Sequence, residues 1–220
     1  MTRKTVQIVA VLALALVAAA VAAAADPRLE KKALRPADMA LAKRANLALA
    51  DLAGGWGRYP SSQSPSSAAP SCPGYNPDLS RFTITGENEA SFRHPEGFVI
   101  VSSVQVFPSR AQASGDFRAG ATRPLAGCLS HVFEEDFARG AGGRARTRSS
   151  RMVASPRVGE RAAWYRLLGR LTVNGNSVPV NMDLLAVQKG RTQAALLFVG
   201  LRGAVPDQVA IARLLASRMR

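Results

Sequence analysis

Residues 161–201 read RAAWYRLLGRLTV (161–173), NGN (174–176), SVPVNMDLLAVQ (177–188), KGR (189–191) and TQAALLFVGL (192–201). Three apolar stretches rich in Val, Leu, Ala and aromatic residues alternate with short glycine-centred connections. That spacing predicts strands over 161–172, 178–188 and 192–201. Asn174-Gly175-Asn176 and Lys189-Gly190 supply the positive-φ residues that tight hairpins demand. Hairpin-joined strands pair antiparallel, because parallel pairing would need a crossover of a dozen residues between each pair. This stretch therefore sets the fold class: an antiparallel sheet.

Working outward, a fourth strand is expected at 151–155, preceded by a glycine and arginine loop over 140–150. Phe82, Ile84, Phe98, Ile100, Val104 and Val106 alternate with polar neighbours around Pro95-Glu96-Gly97, which predicts an earlier hairpin. Between the two sets of strands lie helical patterns, one from Ala111 to about Phe117 opened by Ser109, the next from Pro124 to Phe137. Leu125, Cys128, Leu129, Val132 and Phe133 form the apolar face of the second. A short helix over 37–52 has Asp38 as its expected N-cap, with Leu41, Ala45, Ala48 and Leu52 on one face. Pro206-Asp207 opens a last helix with Val209, Ala212, Ala216 and Met219 on its apolar side. The order α-β-β-α-β-β-β-β-α describes an α+β fold: a single twisted antiparallel sheet of about six strands with helices packed on it. The stretch Pro60 to Pro73 is so rich in Ser, Pro and Ala that it reads as a surface loop. No repeat of solenoid or propeller period is present.

Upstream of this single domain (37–220), with a linker over 26–36, residues 1–25 carry an export signature. Arg3 and Lys4 precede an apolar run from Val6 to Ala25 interrupted only by Gln7, and Ala23-Ala24-Ala25 satisfies the small-residue cleavage rule. The run reads as a cleaved signal peptide or an uncleaved membrane anchor. Half of it is alanine, which inserts weakly, and this favours cleavage. Both readings place the domain outside the cytoplasm, secreted or tethered. Of 29 basic residues only Arg3 and Lys4 fall in this segment, so 27 remain against 15 acidic ones and the exported part is +12. Such an excess favours anionic partners such as phospholipid headgroups or acidic wall polymers, and arginine dominance from codon usage is the competing explanation. Cys72 and Cys128 are the two cysteines, an even count in an exported chain, and a disulfide between them is expected.

No zinc-protease helix, nucleophile elbow, phosphate-cradling loop or dinucleotide fingerprint occurs. No cofactor or metal is expected, since neither His94 nor His131 joins a ligand cluster with the thiols. Consecutive Glu134-Glu135-Asp136 on a helix point in different directions and cannot flank one bond. Trp56, Tyr59 and Trp164 are the candidate ligand-binding aromatics, with core packing as the alternative for both tryptophans. Arg144, Arg146, Arg148 and Arg151 are the candidate anion contacts; in extended chain the first three would alternate onto one side. Aromatic residues are not interleaved with them, which disfavours nucleic acid and leaves lipid headgroup or polymer phosphate.

Several of these pieces together resemble a family. Leu52-Ala53-Gly54-Gly55-Trp56 closing a short helix, the cysteine in the loop after it, Cys128-Leu129 in a helix, Val158-Gly159-Glu160 before a strand, and Gly190-Arg191 before an apolar strand and a final helix look like exported actinobacterial domains. These are the extracellular sensor domains of PknH-type serine/threonine kinases and the LpqN-type lipoproteins of the PsbP-like fold. The resemblance spans roughly 37–220. It implies a twisted antiparallel sheet with packed helices, often with disulfides and a cleft, and a non-enzymatic ligand-binding, sensor-like or envelope-accessory role. The chain departs from those families in lacking a kinase domain and a lipobox and in having cysteines for one disulfide only. Expected partners are a ligand or envelope component of unassigned chemistry, or an anionic membrane surface. An enzyme using His94 or His131 beside a carboxylate is the rival from another class.

Overall fold

The computed structural model describes residues 28–59 and 72–220. The export segment and most of the Ser/Pro stretch, residues 60–71, lie outside the described residues. No helix among the described residues is long and apolar enough to cross a membrane.

The expected hairpins form, although Phe82 and Ile84 lie ahead of the first strand of the earlier one, in a separate buried cluster with Leu79, Phe107 and Ala113. β4 (Gly86–His94) and β5 (Phe98–Val106) pair across the Pro95-Glu96-Gly97 turn, while β6 (Arg144–Val153), β7 (Arg161–Val173), β8 (Asn176–Lys189) and β9 (Thr192–Leu201) form an antiparallel meander. The two sets meet where β5 pairs with β9. With the short edge strand β2 (Gly57–Arg58) this makes one seven-stranded antiparallel sheet, ordered β2-β4-β5-β9-β8-β7-β6. β1 (Lys31–Lys32) and β3 (Thr83–Ile84) add a two-stranded parallel ladder, so residues read from the sequence as linker hydrogen-bond to the fold.

Strand alternation sends side chains to two faces, and each face has its own core. On one, Tyr165, Leu167, Leu171, Val180 and Val199 pack under α2 (Arg110–Gly120) and α3 (Leu125–Val132), which runs on through a wider turn over Phe133–Phe137. The disulfide between Cys72 and Cys128 sits in this layer, as expected, with both cysteines buried. On the other, Phe92, Ile100, Val104, Leu185, Leu196 and Phe198 pack under α1 (Pro36–Ala45) and α4 (Gln208–Arg218). The close approach of α1 requires Gly86: a Cβ there would lie 2.3 Å from the Asp38 backbone.

Three expectations are corrected. The first helix ends at Ala45, and a 3-10 turn over Leu49–Asp51 follows it. Its N-cap is Arg35 with Pro36 behind it, while Asp38 lies inside the first turn and binds Arg191 at 2.6 Å. The region 140–150 is not all loop, because β6 starts at Arg144 as an exposed edge strand. Lastly, the ladder of β6 shifts between Thr147 and Ser149, leaving Arg148 without a register partner. This bulge breaks the simple alternation of Arg144, Arg146 and Arg148.

Candidate functional site

β6 and β7 form the outer end of the sheet. α1 covers β4 and β5 and α4 covers β8 and β9, which leaves the corresponding face of β6 and β7 open among the described residues. The bulge decides what stands there. An extra residue reverses parity, so Arg151 beyond it points to the same side as Arg144 and Arg146 before it. The register then sets Arg144 opposite Thr172, Arg146 opposite Arg170, Ser149 opposite Leu168, and Arg151 opposite Arg166. Five arginines from two strands therefore share one face, and Arg144, Arg146, Arg151 and Arg170 are exposed.

Two of these cross-strand pairs are arginine against arginine, an arrangement that repels when nothing lies between the charges. Among the described residues no carboxylate comes within ion-pair distance of Arg144, Arg146, Arg151 or Arg170. Arg146 does help hold the Glu134 carboxyl below its usual range, after the stronger backbone and side-chain hydrogen bonds from Thr147.

The face has one anchoring acid. Asp183, opposite Arg166 on β8, is 1% exposed. Its Oδ1 accepts from Trp164 Nε1 at 2.9 Å and Arg166 Nε at 2.7 Å, and its Oδ2 accepts from Gln208 Nε2 at 3.0 Å. The Arg166 guanidinium also lies 5.1 Å over the Trp164 ring. A buried carboxylate is stable only with such partners, and the consequence is that Arg166 is held in one place. Arg170 has a weaker tether, its Nε donating to the exposed Ser177 Oγ at 3.2 Å.

The candidates named from sequence thus divide. Arg144, Arg146, Arg151 and Trp164 come together. Arg148 sits at the bulge. Trp56 and Tyr59 lie by β2, at the opposite edge of the sheet: Trp56 packs 5.4 Å from the His94 ring and Tyr59 lies under the Arg93 guanidinium. His94 Nδ1 is 3.9 Å from Glu96 Oε2, and His131 is exposed. Arg166, Arg170 and Asp183, which no motif or periodicity in the sequence singles out, complete the face.

Two grooves flank the Val158-Gly159-Glu160 turn. One, of about 590 Å³, is lined by Arg110, Ser114, Arg118, Glu160 and Arg161; the other, of about 330 Å³, by Arg157, Lys189 and Arg213 among others. Glu160 borders both and pairs with Arg110 at 3.0 Å. Partial burial raises its carboxyl, but the Gly190 backbone, Arg110 and Gln188 outweigh this and hold it below the usual range. These grooves already contain their counter-charge; among the described residues, the exposed arginines of the β6–β7 face have no carboxylate within ion-pair distance.

No known family model matches the chain, and no curated protein does. Among solved structures it is similar to the extracellular domain of PknH from Mycobacterium tuberculosis, at a TM-score of 0.37 and 11% identity over 61% of this chain. The chain spans 64% of that domain's length.

Proposed function

We propose that this chain is an exported, non-enzymatic binding domain that holds an anionic component of the cell envelope against the open face of β6 and β7. The export part of this reading rests on residues 1–25, and the sensor-like or envelope-accessory part on the family resemblance of the sequence. The observation that carries the ligand chemistry is the facing of Arg146 with Arg170 and of Arg151 with Arg166. Like charges set directly opposite on a sheet are destabilising by themselves; Asp183 offsets this at Arg166, whereas Arg146 and Arg170 have no carboxylate within ion-pair distance among the described residues, and an anion seated between them turns the repulsion into attraction.

The experiment compares salt elution from a phosphate-bearing resin. Replacing Arg146 and Arg170 together with glutamine should lower the eluting salt clearly more than replacing Arg157 and Arg213, a change of equal charge at another surface. Equal shifts would reduce the interaction to net charge and sink the assignment of this face.

A further inference from the structure

The two arginine pairs are built alike. In each, the β7 arginine donates through Nε, Arg166 to the buried Asp183 at 2.7 Å and Arg170 to the exposed Ser177 at 3.2 Å, and its terminal nitrogens have no hydrogen-bond partner among the described residues. In each, an exposed β6 arginine stands directly opposite. The pairs are four β7 residues apart, about 13 Å, and Arg144 opposite Thr172 extends the line to about 20 Å. The strip is two strands wide, roughly 5 Å between pairing partners.

This is the shape of a track. A single small anion could satisfy only one pair. A membrane would present headgroups in two dimensions and reward apolar insertion. Large hydrophobic side chains exposed among the described residues are Leu34, Met152 and Leu168, and Met152 points to the opposite face, beside Tyr165. That leaves Leu168 alone between the pairs. Base stacking has no platform, because Arg166 already lies over Trp164.

Resting on the function proposed above, we infer that the occupant is an extended, base-free phosphate polymer laid along β6 and β7, contacting both arginine pairs at once. Binding is then bivalent, and a chain that reaches both pairs gains over one that reaches only one through effective concentration.

The test titrates the purified full chain, at about 0.15 M salt, with orthophosphate, tripolyphosphate and long-chain polyphosphate. Vesicles of phosphatidylglycerol and a single-stranded oligonucleotide of equal charge are run beside them. Long-chain polyphosphate should bind at least ~10²-fold tighter than tripolyphosphate. Arg170→Gln and Arg146→Gln should each erase most of that gain, while Arg213→Gln should keep it. Both β6–β7 variants alter exposed residues, so a folded spectrum is expected for each. A long chain with no advantage over tripolyphosphate, or tighter binding by the vesicles or the oligonucleotide, would overturn the polymer track and leave the anionic face standing. Failure of every anion to bind would remove both.

Discussion

At the scale of the residue, Asp183 is the one on which the open face depends. It is the buried acceptor for Trp164, Arg166 and Gln208 together. Asp183→Ala strands three donors and should cost about 3–5 kcal/mol in urea unfolding, the range for removing one partner of a buried pair. Arg170→Gln, at the surface, should stay within about 0.5 kcal/mol; comparable losses in the two would mean Asp183 is no anchor. A signal for Asp183 was present in the sequence. Counting outward from the Asn174-Gly175 turn, where Val173 pairs with Asn176, brings Arg166 opposite Asp183. Periodicity alone hid it, because an acid in an apolar strand reads as an outward-facing position. Gly169 is a second such case. A Cβ there would meet Phe133 Cε1 at 2.5 Å and the Arg146 carbonyl oxygen at 3.0 Å, so Gly169→Ala should destabilise by about 1–3 kcal/mol by overpacking. Nothing local to Gly169 in the chain announces the ring that packs on it.

Among the elements, β6 and the N-terminal strap carry the weakest local signals. Gly140, Gly142 and Gly143 look like loop punctuation, and an edge strand with an exposed side needs little apolar alternation, so the arginine run gave no strand signal. The strap, residues 28–35, bonds through its backbone to Arg28–Leu79, Lys31–Phe82, Ala33–Ile84 and Arg35–Thr85 contacts, which periodicity cannot foresee. It carries Glu30 against the buried Asp116 of α2. Burial first, and Asp116 second, push Glu30 up to about 7; burial likewise raises Asp116 to about 6, against the lowering effect of its Gln193 hydrogen bond. Lys32 is the cation that opposes the shift of Glu30, and the nearby Tyr75 hydroxyl is itself pushed up to about 12, chiefly by burial. The folded state therefore holds protons that the unfolded state has released between the ordinary carboxyl range and about pH 7. Stability from this pair is fully present below the unfolded values, 3.8 for Asp116 and 4.5 for Glu30, and is lost as pH rises through about 6 and about 7. Melting temperature should drop by several degrees from pH 5 to pH 8, and Glu30→Gln, which can donate to Asp116 without a proton to lose, should flatten the decline. An undiminished slope in that variant would place the pH dependence elsewhere.

For the whole molecule, local signals suffice for the order of helices and strands and for each hairpin, since turn chemistry and period are written in consecutive residues. The seam between β5 and β9 is not written there, because it joins strands some ninety residues apart and depends on which edges meet after the hairpins form. Two features secure that seam on one face: Arg191 binds Asp38, and Arg218 grips Asp51 through two bonds of 2.7 and 2.6 Å, each tying the C-terminal half to the N-terminal segment. On the other face the Cys72–Cys128 bridge, 56 residues apart, fastens the end of the Ser/Pro stretch to α3. Closing a loop of that length is worth about 4 kcal/mol in the chain-entropy model, or ~8–16 °C in melting temperature for a domain of this size. The sheet stands between the disulfide and the arginine strip, so stability and binding should separate. The Cys72→Ala/Cys128→Ala variant should melt lower by that margin and still bind polyphosphate as the wild type does below its melting point. Should binding fall along with stability, the arginine strip must draw its geometry from the disulfide layer across the sheet, and the open face could not be treated as an independent site.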